Sequence, residues 1–193
     1  IIWGSAFVAQ RIAGQMGSAY LFNAARYLLA ALAVLPLALR VSTRPAFSKI
    51  SRSQYKWMLL AGTILFLGSA LQQVGVVYTT AGNAGFITSL YVVLGPGALF
   101  FVWGEKPHWI SILAVGLAVV GAFLLSTGGR FEVRMGDLLV LLSTLFWTFH
   151  VIILGKYASR FEAMTFSVGQ LMICGVLNFM LGVFVEPFPR FDW

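Results

Sequence analysis

Apolar residues come in long runs separated by short polar gaps. Seven runs stand out: Ile1–Ile12, Tyr20–Leu39, Trp57–Tyr78, Ala84–Trp103, Trp109–Thr127, Leu138–Leu154 and Ala163–Val185. About 20 apolar residues in a helix cross a hydrocarbon layer of about 30 Å. Strict alternation with period two is lacking, which argues against barrel strands, and helices satisfy every backbone group within the segment. The pattern predicts an all-α integral membrane protein with seven transmembrane helices visible. The first run begins at Ile1 without Met or a charged leader, so it reads as a truncated span rather than a signal peptide.

Helix-end chemistry supports several of these boundaries. Asp137, after Gly136, is placed to cap the sixth span, and Ser159-Arg160-Phe161-Glu162 has capping-box spacing before the seventh. Pro107 suits the first turn of the fifth span, where a missing N–H costs nothing. Tyr20, Trp57, Tyr78, Trp103 and Trp109 lie near span ends, as an aromatic belt would.

The two ends of the chain echo one another. A shift of about 144 positions lays Trp3 on Trp147, Phe22 on Phe166, Arg26 on Gln170 and Ala30 on Cys174, and preserves the order of apolar span, polar gap and apolar span. The predicted division is a first repeat over residues 1–130, holding five spans, and a partial second over 131–193. With an odd number of spans per repeat, the second enters the membrane from the opposite side, and a substrate site is expected at the pseudo-two-fold interface.

Composition agrees with this picture. The chain is 60% hydrophobic and only 10% charged, with a mean hydropathy of +0.89. A soluble domain carries roughly 25% charged residues. The net charge of +7 has no solvated basic domain to host it, so nucleic-acid binding is excluded and topology becomes the meaning of the charge. Arg40, Arg44, Lys49, Arg52, Lys56, Lys106, Lys156 and Arg160 fall on one side, against Arg11, Arg130, Arg134 and Arg190 on the other. That bias predicts a multi-pass protein of the cell's inner (plasma) membrane with loop 40–56 cytoplasmic, where its cations meet lipid headgroups. The lipid bilayer and a small-molecule substrate are the expected partners, and a homodimer is compatible with the pattern. Cys174 is the only cysteine, so no internal disulfide forms.

Polar residues inside spans are costly, so their alignment carries information. Asn23 and Arg26 in the second span superpose on Ser167 and Gln170 in the seventh under the repeat shift. These two polar faces should point inward, towards a cavity or towards hydrogen bonds with neighbouring helices. Arg26 lies about 9 Å from the end of its span. Snorkelling to the interface, a structural ion pair and contact with a substrate anion all remain open for it. Ser143, Trp147 and His150 share one face of the sixth span, fit either to bind a cation or ring or simply to bond the next helix. Gln72, Gln73, Tyr78, Asn83, Thr88 and Tyr91 add polarity to the third and fourth spans. Leu94-Gly95-Pro96-Gly97 is expected to break the fourth span, with Pro96 as a passive kink or a hinge. Glu105 reads as a structural corner, and Ala114, Ala118 and Ala122 form a small-residue stripe suited to close helix packing. No phosphate loop, metal-ligand cluster, paired mid-span carboxylates or nucleophile–base pair is present, so no catalytic residue, metal or cofactor is expected.

Taken in order, Trp3-Gly4-Ser5-Ala6-Phe7, Ala25-Arg26-Tyr27-Leu28-Leu29-Ala30-Ala31, Tyr78-Thr79-Thr80-Ala81-Gly82-Asn83-Ala84, Gly104-Glu105 and Gly136-Asp137-Leu138 resemble the EamA-type permeases of the drug/metabolite transporter superfamily. The resemblance implies a bundle of ten helices in two inverted five-helix repeats, of which the last three lie beyond Trp193. It also implies secondary transport, as export or exchange, of small metabolites such as amino acids or drug-like compounds by alternating access, without enzymatic activity. The cavity helices it implies make Trp3, Tyr78, Tyr91, Trp147 and His150 the substrate-cavity candidates. A non-transporting membrane scaffold or truncated remnant, and a seven-helix sensor, are the alternatives.

Overall fold

The structure is a computed structural model that describes residues 2–41, 50–127, 134–157 and 161–186; side chains are described except at 2–4, 41, 122 and 125–127. Everything regular in it is helical: α1 (Ile2–Gln15), α2 (Ala19–Val41), α3 (Arg52–Val77), α4 (Ala81–Ser89), α5 (Tyr91–Trp103), α6 (Trp109–Thr127), α7 (Met135–Tyr157) and α8 (Ala163–Val185). The α4–α5 pair together covers the fourth apolar run, so the seven expected segments are all present. Five of them (α2, α3, α4–α5, α7 and α8) are long and apolar enough to span a bilayer. The chain is an all-α, multi-pass membrane protein.

Two helix starts differ in detail from expectation. Glu162 is itself the N-cap of α8, its carboxylate accepting from the N–H groups of Met164 (2.9 Å) and Thr165 (2.6 Å). Ser159 lies outside the described residues. Asp137 sits in the first turn of α7 and reaches back to the N–H of Arg134 at 3.3 Å, which is the third-position role of a capping box. Partial burial pushes the Glu162 carboxyl up, and hydrogen bonds from Thr165 and Met164 outweigh it, so the group titrates below its ordinary value of 4.5. A depressed carboxylate stabilises the fold above its unfolded pKa and loses that contribution as pH falls through the folded value. Glu162→Ala should therefore cost about 0.5 kcal/mol near neutrality, a small value because the site is open to solvent. Thermal melts of both proteins in detergent should converge as pH drops below 4.5.

The fourth span breaks at Leu90, not within Leu94–Gly97. Leu90 keeps helical angles (φ −62°, ψ −18°), but its N–H turns to the carbonyls of Ile87 and Thr88 and ends α4 there. Pro96 lies inside α5, where a proline removes only the bond to Val92 and the rest of the turn persists.

α3 is the central helix. Just over half of its membrane window (56%) is buried, against 17% for α4–α5. Glycines make its close contacts. Gly75 lies against Gly136 of α7, where an added Cβ would meet the Gly136 carbonyl at 3.0 Å; Gly62 meets Ile173 and the Gln170 carbonyl of α8 at 2.7–2.9 Å. Small residues at such crossings let backbones approach, which substitutes for the hydrophobic effect in lipid. α2 and α8 form the other extensive contact and run antiparallel: Leu21 packs on Gly182, Leu28 on Gly175. The small-residue stripe of α6 is not a packed seam. Ala114 is exposed, Ala118 touches the Phe7–Val140 cluster, and the Ala122 side chain lies outside the described residues. α6 is peripheral and bears a large lipid-type surface, including exposed Trp109, Leu117 and Val120.

Cross-helix contacts sort the helix ends into two sets. At one end Trp57 stacks on Tyr157 at 3.8 Å, and Lys156 pairs with Glu105 while sitting 4.7 Å over the Trp103 ring. At the other, Thr79 donates to Asp137, and both oxygens of Glu186 accept from the N–H groups of Tyr20 (2.7 Å) and Leu21 (3.0 Å). Every one of these contacts joins ends that the alternating topology puts on the same side.

Candidate functional site

The interior between these helices is polar to a degree that a core in lipid does not need for packing alone. α3 carries the adjacent glutamines Gln72 and Gln73, and at 100° per residue they face different neighbours. Gln72 Nε2 donates to Thr88 Oγ1 of α4 (2.9 Å), and Gln73 Nε2 donates to the Gln10 carbonyl of α1 (2.6 Å). On α7, Thr144 and Thr148 each bond the carbonyl one turn back and also reach α4–α5, at the carbonyls of Ile87 (3.3 Å) and Tyr91 (3.4 Å). Across α2, α3 and α8, Asn23 Nδ2 donates to the Ser69 carbonyl (3.1 Å), Ser69 Oγ lies 3.7 Å from Cys174 Sγ, and Asn178 Nδ2 donates to the Cys174 carbonyl (2.9 Å).

A cleft of about 760 Å³ opens between α1 and the α4–α5 pair. Phe7 and Val8 line one wall; Ala81, Gly82, Gly85, Phe86, Thr88, Ser89, Tyr91 and Val92 line the other. Gly82, Gly85 and Ser89 fall on one α4 face, and an added Cβ at Gly82 would meet nothing within 4 Å. The cleft is walled by rings and small residues, with Thr88, Ser89 and Tyr91 as the hydroxyl-bearing residues of its lining. Among the described residues no charged side chain lines it. A second, apolar cleft of about 460 Å³ lies between α5 and α6, lined in part by Pro96 and Gly97.

Against this geometry the expected cavity residues separate. Tyr91 lines the cleft. Tyr78 is the exposed C-cap of α3 at the Asp137 end. Trp147 and His150 face away from the cleft, towards α3 and α8: Trp147 packs on the Tyr27–Leu65–Cys174 cluster, and His150 pairs with Gln170 Oε1 at 2.9 Å. The two rings meet edge-on at 6.1 Å. Trp3 belongs to α1, but its side chain lies outside the described residues. The two polar faces do turn inward in part. Asn23 and Gln170 are buried and bonded to neighbouring helices, while Ser167 is half-buried. Arg26 is half-buried, donating to Tyr27 Oη at 3.1 Å with its guanidinium 4.8 Å over that ring. Among the described residues it has no carboxylate partner, since the one ion pair there joins Lys156 to Glu105. Among the same residues no cluster of three potential metal ligands occurs.

Sequence reasoning passed over Phe7, Gly85, Phe86 and Gln10. The Gly82–Gly85–Ser89 spacing on one helical face was the available signal for the cleft. The Glu105–Lys156 pair had one too: opposite charges closing two spans that end on the same side.

The EamA-like transporter family matches residues 1–127. An uncharacterized transporter of Archaeoglobus fulgidus is 32% identical over 184 residues, covering 95% of this chain and 55% of that protein. The uncharacterized transporter YvbV of Bacillus subtilis is 27% identical over 202 residues, covering 100% of this chain and 63% of that protein. The chain thus spans between about half and two thirds of the length of these relatives. No solved structure matches. With two thirds of its length matched, and with the helices and the ordered motifs that carried the resemblance, the chain belongs to the EamA-like transporter family.

Proposed function

We propose that this chain supplies the first repeat (residues 1–130) and the opening helices of an inverted second repeat (131–193) of a secondary transporter, which exports or exchanges small molecules across the plasma membrane by alternating access. The observation that carries the reading is the α2–α8 pair. The 144-residue shift equates these helices, they run antiparallel, and glycines of α8 let them approach, Gly182 against Leu21 and Gly175 against Leu28; Ala24, Ala31 and Ala38 of α2 and their counterparts under the shift, Val168, Gly175 and Gly182, are all buried. An inverted repeat puts such a self-paired helix on its pseudo-two-fold axis. The family match also ends at residue 127, close to the expected repeat boundary.

In this reading the α1/α4–α5 cleft is the first repeat's share of the substrate path, with Tyr91 in its wall. Trp147, His150 and Gln170 form a polar interhelical contact away from it, and Tyr78 is exposed at the end of α3. Leu90 and Pro96 allow α5 to tilt. The basic end, with Glu105 and loop 40–56, faces the cytoplasm. The test is uptake and efflux of a metabolite panel by vesicles holding the full-length protein, with and without a proton gradient. Protein-dependent flux of at least one compound is expected; absence of differential flux across the panel removes the transporter reading.

A further inference from the structure

The cleft between α5 and α6 shares no lining residue with the one beside α1 and takes no part in the proposed substrate path. It holds about 460 Å³ and is walled mainly by Phe100 and Phe101 of α5 and by Ile112 and Val115 of α6. Gly97 adds space rather than a wall, because a Cβ there would meet nothing within 4 Å. Both helices present large apolar side chains at the surface beside it, Phe101 at 85% exposure and Ile112 at 60%. In a membrane protein such a surface lies against lipid, so the cleft opens to the bilayer.

One end of the cleft is charged. Lys106, in the α5–α6 loop, belongs to the lining and is exposed. Among the described residues it has no ion partner, since the neighbouring Glu105 carboxylate holds Lys156. The same end carries the Trp57–Tyr157 stack and the contact of Lys156 with Trp103, aromatic rings of the kind that mark headgroup level. From there the cleft runs inward along α5 to Gly97, about 10 Å from Gly104 at 1.5 Å per residue. One leaflet of hydrocarbon is about 15 Å deep, half of the full core. The cleft therefore begins at the headgroups and ends within that leaflet.

A cation at the interface followed by an apolar channel of this depth matches the order of parts in a phospholipid, an anionic headgroup and then an acyl chain. Basic pockets between membrane helices hold anionic headgroups by charge attraction. A second copy of the chain matches less well. Copies inserted in the same direction carry Lys106 at the same level, so a two-fold contact across this cleft brings like charges together.

We propose that the α5–α6 cleft binds one anionic phospholipid, its phosphate on Lys106 and one acyl chain along the apolar walls as far as Gly97.

The experiment strips the full-length protein of lipid in detergent and titrates it with dioleoylphosphatidylglycerol or dioleoylphosphatidylcholine, counting bound lipids by native mass spectrometry. The first phosphatidylglycerol should bind about fivefold more tightly than the first phosphatidylcholine, the worth of one lysine at a membrane surface. Lys106→Gln should bring that ratio close to one. Lys56→Gln, which removes an exposed cation on α3 at the same end, should leave it intact. Gly97→Leu puts a side chain into the cleft and should weaken both lipids by about tenfold. No preference in the wild type overturns the proposal, as do equal effects of Lys106→Gln and Lys56→Gln, which assign the preference to general surface charge. Unchanged affinities in Gly97→Leu overturn it too. A wild-type dimer that Gly97→Leu dissolves assigns the cleft to a second copy and removes the lipid from it. None of these readouts uses flux, so the lipid site stands or falls apart from the transporter reading.

Discussion

Gly136→Ala lowers the thermal midpoint of the detergent-solubilised protein sharply, and Gly136→Leu yields none that elutes as a monodisperse species. The reason is that a Cβ at Gly136 would lie 2.5–2.7 Å from the Tyr78 carbonyl carbon, the Gly75 oxygen and the Thr79 nitrogen, all of them backbone. A flexible side chain could swing away, but two helix backbones have to separate. Overpacking of this kind costs about 1–3 kcal/mol or more, and separation also breaks the Thr79–Asp137 bond. Gly155 is the control on the same helix. A Cβ there meets nothing within 4 Å, so Gly155→Ala should be neutral or stabilising by up to about 1 kcal/mol from helix propensity alone. Equal midpoints for Gly136→Ala and Gly155→Ala in a fluorescence melt would show that the α3–α7 crossing is looser than described.

Gly82→Leu has the opposite signature: stability kept or slightly raised, flux in vesicles reduced more than tenfold. Nothing stands within 4 Å of a Cβ at Gly82, so the new side chain meets no wall until it occupies the cleft. Glycine in a helix is a small cost that packing does not repay here, which makes the empty volume itself the feature retained. Unchanged flux in a well-folded Gly82→Leu protein would move the substrate path elsewhere in the bundle.

The helices were legible because lipid imposes length and apolarity on them; Ala163–Val185 was delimited to the residue. The break at Leu90 was not legible. Pro96 and its glycines were the loudest breakers in the fourth span, yet a proline interrupts one hydrogen bond in a helix that packing otherwise holds. The capping of α8 was misplaced by three residues because Glu162 can serve equally in two positions, and only the turn of the backbone decides between them. The inward turn of Asn23 and Gln170 followed from the cost of polarity in a bilayer. Which neighbour each residue meets depended on helix rotation, so Trp147 and His150 were grouped with Tyr91 although they face α3 and α8. The pairing of Gln73 with α1 depended on the same rotation. Phe7 and Gly85 carry no polarity to betray them, and the space between them exists only in three dimensions.

The carboxylate of Glu186 closes the start of α2 across 165 residues of chain. During synthesis at about 5–20 residues per second, the ribosome needs on the order of 10–30 s to make that stretch. Through that interval α2 sits in the bilayer with its first amides uncapped, although the Ser69 carbonyl that Asn23 donates to follows only 46 residues behind it. Insertion of the early helices and their final locking are thus separate events, and the last helix described here is the one that completes the second.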